Sequence, residues 1–457
     1  MFGFFLVLLF SIRKQHCRHY SHKFSKIIVT ISVFVTKLKM KNKVHNAIIL
    51  NQCVGILFVY IFENNVLLNY FTNLGLTAAL VLFLLSLPDI FNFLFIIPSA
   101  YLSDKIGIKK FGLYGLILMA ISAAILVLSN FLTHQLIAIV AIFAISLYSL
   151  GRTIYTGSWN ALINPHIEPA TRGRFLAKLK LFLGLIGIAF TFFTGKALSL
   201  FPDHNIYLYI FIFISISFIH RFYTYKAIPE IESEKPKDEG ITHAIKECIM
   251  TPNYLSFCCY AFLINLFTGT CPWLFSLQQK TVLHFQQDTV VLLINLMFIG
   301  NMIGFYIGGQ IIDKVGTKPV FFICHLAFGG ILTMIVLRMS LPFSIEYTYG
   351  GLMLIYGIIA GKSSVAISSE ILTTASEKHK ALSISILFMM FSAGKAISAI
   401  IAGQILHLNI LQSEWKLGSF TLNQFDSLLA GSAIMIILLV VTLGLVPSII
   451  GPKKNTI

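Results

Sequence analysis

A succession of twelve long apolar runs constrains this chain more than any other feature. They cover approximately 46–68, 77–101, 111–130, 135–160, 178–200, 205–223, 254–279, 288–311, 319–338, 347–369, 381–408 and 427–449. A bilayer core of about 30 Å takes roughly 20 apolar residues of helix, and each run is near that length. Charged residues make up only 11% of the 457, against about a quarter in soluble domains, so the chain cannot cover a water-facing surface. The expected fold is all-α and membrane-embedded, with twelve transmembrane helices.

Net charge is +16, and its placement matters more than its size. With a cytoplasmic N-terminus, 27 Lys and Arg fall in the inner segments, while the outer loops hold only Lys280, Arg338 and Lys416. Basic residues concentrate on the cytoplasmic side of membrane proteins. Both termini are therefore expected inside, and the charge reads as a topology signal rather than a nucleic-acid footprint. The seven cysteines show no C-x-x-C pair or zinc spacing, so neither a metal site nor a disulfide framework is expected.

The segment 226–253 combines Pro229, Pro236 and mixed charge, and reads as a linker. It separates six runs at 46–225 from six at 254–450, with a cytoplasmic tail at 451–457. Residues 1–45 read as a basic extension on the membrane surface, or as sequence before a true start at Met40. Their first apolar stretch makes a poor signal peptide, having no basic residue before it.

The two halves repeat. Ala100-Tyr-Leu-Ser-Asp104-Lys105-Ile-Gly107 follows the second run, and Gly309-Gln-Ile-Ile-Asp313-Lys314-Val-Gly316 follows the eighth. Both Asp and both Gly are 209 residues apart, and Gly151-Arg152 and Gly361-Lys362 are 210 apart. In each loop the residue four before the Asp is expected to allow close helix approach. The Asp would sit at a helix end, the Gly would permit reversal, and the Lys residues would face the anionic inner leaflet. Glu370, at the inner end of the tenth run, is expected to pair with Lys314 or Lys318, completing a latch.

Here the chain resembles the major facilitator superfamily, whose loops after spans two and eight carry G-x-x-x-D-[RK]-x-G-[RK]-[RK]. The second copy matches through Gly309, Asp313, Lys314 and Gly316, with Thr317-Lys318 where two basic residues are usual. The first matches through Asp104, Lys105 and Gly107, with Ala100 for Gly. The resemblance covers about 44–450 and implies two pseudo-symmetric six-helix bundles, a transport role and a monomer. The fourth span, with Gly157 five after Arg152, is similar to a bacterial branch described as efflux carriers of undefined substrate. The fifth lacks the Gly-Pro-x-x-Gly-Gly element of proton-coupled drug antiporters.

Ionisable residues within spans are costly and usually functional. Lys180 and Lys196 lie near span ends, where snorkelling suffices, and Glu63 reads as interfacial. Asp89, Arg152, Lys362 and Lys395 lie deeper and are the candidates for the substrate or proton pathway, with Asn265 and Trp273 as polar and aromatic lining. For Asp89 and Arg152, a structural hydrogen bond or ion pair is as good a reading. Three bases against one acid imply a positive cavity, favouring an anionic or zwitterionic solute.

A secondary transporter working by alternating access is therefore expected, with the bilayer and a small solute as partners. An ion gradient, of protons, would drive it, because there is no G-x-x-x-x-G-K-[ST] loop; no cofactor is expected. Xenobiotic or secreted-metabolite efflux is the alternative. A membrane enzyme would need a His/Asp or paired-carboxylate constellation, and His134, His166, His204 and His325 show no such spacing. A receptor would need a larger soluble domain than the linker provides. Heavy use of Ile, Phe, Asn and Lys suggests an AT-rich bacterial genome and hence the inner membrane.

Overall fold

The computed structural model describes residues 43–62, 65–132, 134–167, 172–200, 205–231, 241–376, 379–418 and 420–444. Met40, the tail 451–457 and almost all of the 1–45 extension lie outside these residues, as does Glu63. The first half contains α1 (Lys43–Phe62), α2 (Asn65–Asn73), α3 (Ala78–Ile106), α4 (Ile108–Ser129), α5 (His134–Ile163), α6 (Arg172–Leu200) and α7 (Asn205–Lys226). A short α8 (Ile241–Met250) lies in the linker. The second half contains α9 (Tyr254–Thr268), α10 (Cys271–Thr281), α11 (Gln287–Val315), α12 (Thr317–Val336), α13 (Ile345–Thr374), α14 (Lys380–His407) and α15 (Gln424–Gly444).

Eleven stretches among the described residues are long and apolar enough to cross a membrane. The fifth of the twelve expected runs lies in α6, whose apolar stretch Phe182–Leu198 is shorter. Between 39% and 56% of each spanning window is buried, so the apolar residues left outside must face lipid. Ile139, Phe143, Tyr306 and Ile323 are among those exposed.

The repeat is plain in the backbone. α3 and α11 each have 29 residues and are followed by a single glycine before the next helix. Gly107 and Gly316 adopt φ of 106° and 83°, conformations that a side chain disfavours. Each donates its N–H back to the preceding helix, at Ser103 (3.0 Å) and Ile312 (2.9 Å). α5 and α13 match at 30 residues.

Glycines also set the closest helix contacts. A Cβ on Gly300, Gly304, Gly357 or Gly361 would come within 2.0–2.3 Å of a carbonyl on the facing helix, so α11 and α13 touch backbone to backbone. Small residues at four-residue spacing permit this. One expectation is corrected here. A Cβ on Gly309 meets nothing within 4 Å, and the close approach falls one residue earlier, at Gly308 against the Lys362 Cα (3.0 Å). At the matching place in the first half, Ser99 and Ala100 do face Gly157 of α5 closely.

Two seams join the halves, α3 against α14 and α6 against α11. The second is tight, because a Cβ on Gly184 or Gly195 would meet Met302 or Val291 within 2.7 Å. The linker helix α8 docks on the start of α14, where His379 Nε2 lies 2.9 Å from Glu247 Oε2. The apolar pattern did not reveal a two-stranded antiparallel hairpin, β1 (Glu414–Leu417) and β2 (Phe420–Asn423), ahead of α15.

Candidate functional site

Asp89 and Lys395 are 306 positions apart in the chain and meet across the first seam. Lys395 Nζ lies 3.0 Å from Asp89 Oδ2 and 4.4 Å from the centre of the Trp273 ring. Asp89 is 11 residues into α3, and Lys395 is 12 residues before the end of the antiparallel α14. At 1.5 Å per residue both stand about 16–18 Å from the same end of the bundle. That is the middle of the membrane-spanning region.

Local sequence builds this place. Pro88 has no N–H to give the Leu84 carbonyl, which loosens α3 immediately before Asp89. The seventh span breaks at Gly269-Thr270, between α9 and α10, with Pro272 in the first turn of α10. Trp273 follows it and is buried. The Lys395 stem passes Gly269, where a Cβ would stand 2.8 Å from Lys395 Cγ. Three residues on from the pair, on the same helix faces, Asn92 Nδ2 donates to Ser392 Oγ (2.7 Å). Three residues the other way, Ser398 Oγ accepts from Thr270 (2.8 Å). Ser392, Lys395 and Ser398 thus form one polar stripe on α14.

The structure brings together four of the six pathway residues expected from the sequence. Asp89, Lys395 and Trp273 touch, and Asn265 packs beside them: its Cβ would stand 3.1 Å from a Cβ on Gly394. One Asn265 N–H is held by the Ala261 carbonyl of its own helix (2.9 Å). Arg152 is half-buried on α5, next to Gly151, which packs on Gly115 of α4. Lys362 is half-buried on α13, against Gly308 of α11. Asp89, the one acid set against the three bases, pairs with Lys395.

The end of the bundle nearer these residues is tied shut across the halves. Lys280 Nζ donates to Asn73 Oδ1 (2.6 Å) and to the Asn69 carbonyl (3.1 Å) at the C-terminal end of α2. Cations are favoured there by the helix dipole. Tyr207 OH accepts from Asn73 (3.1 Å) and Gln287 (3.3 Å), and Lys196 reaches Asp288 (3.3 Å). Further in, Thr191 donates to Asn295. Lys196 therefore forms an ion pair where snorkelling was expected. Lys180, for which the same was expected, lies over the Phe305 ring across the second seam (5.0 Å).

The opposite end carries the repeated loops. Asp104 and Asp313 are in the last turns of α3 and α11, and their side chains lie outside the described part. Lys105 lies over Tyr101 (4.5 Å), and Lys314 is exposed. Glu370 accepts a hydrogen bond from Thr317, the residue standing where the family signature has a base. Lys109 donates to the Lys226 carbonyl (2.8 Å) at the end of α7.

Two buried arginines escaped the sequence reading because both looked like loop charges. Arg338 and Asp426 form a buried ion pair at 2.5 Å, with Gln278 donating to Asp426 (2.7 Å). Arg221 is buried over the rings of Tyr155 (4.5 Å) and Phe58 (5.2 Å). Asn92, a candidate partner of Asp89 from the sequence, donates to Ser392, and Ser392 could have been found by stepping three residues from Lys395 along its helix. His325, dismissed as isolated, is buried between Tyr260 OH (2.5 Å) and Ser363 Oγ (3.1 Å). No cluster of three or more metal-ligating side chains occurs among the described residues.

A family model, the Major Facilitator Superfamily, matches residues 48–399. No curated protein matches by sequence. Among solved structures, a variant of the nucleoside transporter NupG superposes with TM-score 0.64 at 15% identity, covering 87% of this chain and 98% of that one. A bacterial homologue of the iron transporter ferroportin in its outward-facing state gives 0.61 at 14% identity, over 88% and 98%. Its inward-facing state gives 0.61 at 12% identity, over 87% and 96%. At these identities the likeness is one of fold.

Proposed function

This chain belongs to the major facilitator superfamily, and we infer from that premise that it carries a small polar solute with a carboxylate group, anionic or zwitterionic, across a bacterial inner membrane by alternating access. It is a secondary transporter and not an enzyme. The observation that carries the solute reading is the Asp89–Lys395 pair with Trp273 beneath it: opposite charges from the two halves, half-way through the bundle. Repeat-related bundles typically hold solute at such a midplane position.

The distribution of Lys and Arg assigns the Gly107 and Gly316 end, with both termini, to the cytoplasm. On that orientation the end tied by Lys280 is the outer one, which supports reading the carrier as outwardly closed. α6 serves as a span, making twelve. Opening would break the Lys280, Tyr207 and Lys196 contacts while the two seams rock, and the Asp104 and Asp313 loops would latch the outward-open form. A proton gradient drives the cycle, with Asp89 as the carboxylate available to carry the proton.

Proteoliposomes with an imposed inward proton gradient test this. Uptake of small organic acids or amino acids, lost in Asp89→Asn and on collapsing the gradient, is the expected result. Accumulation of lipophilic cations, indifferent to that substitution, would overturn it and make xenobiotic efflux the better reading.

A further inference from the structure

Two ion pairs among the described residues are of opposite character. Arg338–Asp426 lies within one half and is shut away, its side chains 3% and 0% exposed. Asp89–Lys395 lies between the halves, and its side chains keep 14% and 29% of their surface. The first can remain intact whatever the halves do. The second joins helices of the two bodies that rock past one another.

Separating such a pair leaves two charges in a medium of low dielectric, which is costly unless each finds a new partner. A solute bearing only a carboxylate would satisfy Lys395 and strand Asp89. A solute bearing only an ammonium would satisfy Asp89 and strand Lys395. A solute with both groups satisfies both at once and leaves the site's net charge at zero.

We propose that the Lys395 ammonium occupies the cation subsite of a zwitterionic solute, and that the ion pair is exchanged for that solute when it binds. The subsite is already built. A carboxylate oxygen stands 3.0 Å away and an indole face 4.4 Å away, the two groups that best hold an ammonium in a partly dry place. The solute's ammonium takes this position between Asp89 and Trp273. Lys395, on a flexible four-carbon stem that slides past Gly269, withdraws to hold the solute's carboxylate. The solute's two charges must lie within a few bonds of each other, as in an α-amino acid. Asn92 and Ser392 form the next inter-half rung and offer an amide and a hydroxyl to a polar side group. The solute then bridges the halves through the same two residues that bridge them when it is absent. This rests on the transport reading above and narrows it to one solute class.

The test is thermal stabilisation of the purified wild-type chain by three matched sets: neutral L-amino acids, the same skeletons without the amino group, and the same skeletons without the carboxylate. A ligand that binds only the folded state raises its stability by mass action, so weak binding shows at millimolar concentration. The expected result is stabilisation by members of the first set. Each truncated analogue should bind at least about tenfold more weakly, the factor for one lost charge-assisted hydrogen bond. Lys395→Gln should reduce amino-acid affinity by a similar factor. If that variant fails to fold, the wild-type series alone decides. Equal stabilisation by the deaminated acids would overturn the zwitterion inference while leaving carboxylate transport standing. Stabilisation by the decarboxylated amines alone would remove both. No stabilisation by any set would overturn the inference, and transport would then be judged by the proteoliposome assay.

Discussion

Lys280 Nζ, on the last turn of α10, lies 2.6 Å from Asn73 Oδ1, on the last residue of α2 in the other half. Two further contacts go to Asn69, so one ammonium from the second bundle caps a helix end of the first, with no carboxylate partner among the described residues. Such a tie can be released without stranding a negative charge, which suits a gate better than an ion pair would.

Lys280→Met should therefore shift the equilibrium toward the outwardly open form. The expected size is roughly tenfold, from losing hydrogen bonds to a charged group worth about 1.5–3 kcal/mol. A cysteine placed at Thr194, which is buried and lines a pocket with Asn69 and Val291, should be labelled faster from outside in this variant. Unchanged labelling would show that the gate is held elsewhere.

Asp426→Ala should be among the most destabilising single substitutions in the chain. It strands the buried Arg338 guanidinium and removes an acceptor from Gln278. Breaking a buried pair typically costs about 3–5 kcal/mol, which thermal unfolding in detergent will register. Replacing both partners, Arg338→Met with Asp426→Leu, should recover most of that loss.

Arg221→Met should cost distinctly less than Arg338→Met. Arg221 is also buried, but its guanidinium rests on Phe58 and Tyr155, and no ion-pair partner occurs among the described residues. Removing it leaves no opposite charge behind, and cation–π contacts are worth about 0.5–2 kcal/mol. Equal losses in the two variants would show that an acidic partner faces Arg221.

Gly304→Ala and Gly309→Ala should separate sharply despite lying five residues apart on one helix. At Gly304 the new methyl would stand 2.2 Å from the Ile358 carbonyl, forcing α11 and α13 apart. Overpacking of this kind costs about 1–3 kcal/mol. At Gly309 it meets nothing within 4 Å and gains helix propensity. Matching melting curves for the two would contradict the observed α11–α13 contact.

How much of this was legible beforehand depends on the range of each interaction. The spans, the repeated loops and the glycine joints are written in local pattern, and the described backbone reproduces eleven of the spans and the joints down to the matched 29-residue helices. Asp89, Lys395 and Trp273 each stood out as costly or unusual inside an apolar run, but their meeting depends on packing between bundles, which no local pattern encodes. Arg338 read as an outer-loop charge because Asp426 lies 88 positions away, at the start of another helix. Gly309 shows the opposite failure: the motif position was right, but the helix face it occupies was one residue out.

The single-residue joints at Gly107 and Gly316 leave no slack between α3 and α4 or between α11 and α12. Within each pair the facing helix ends are held one residue apart. One helix, α3 or α11, forms a seam between the halves. The other, α4 or α12, presents Ile117, Ile121 and Leu128 or Ile323, Leu326 and Met334 outward. The residues that meet the lipid are therefore one glycine joint away from the seam helices, including the α3 that carries Asp89 of the Asp89–Lys395 contact. Measuring the chain's stability in bilayers of different thickness reads whether the lipid reaches that contact.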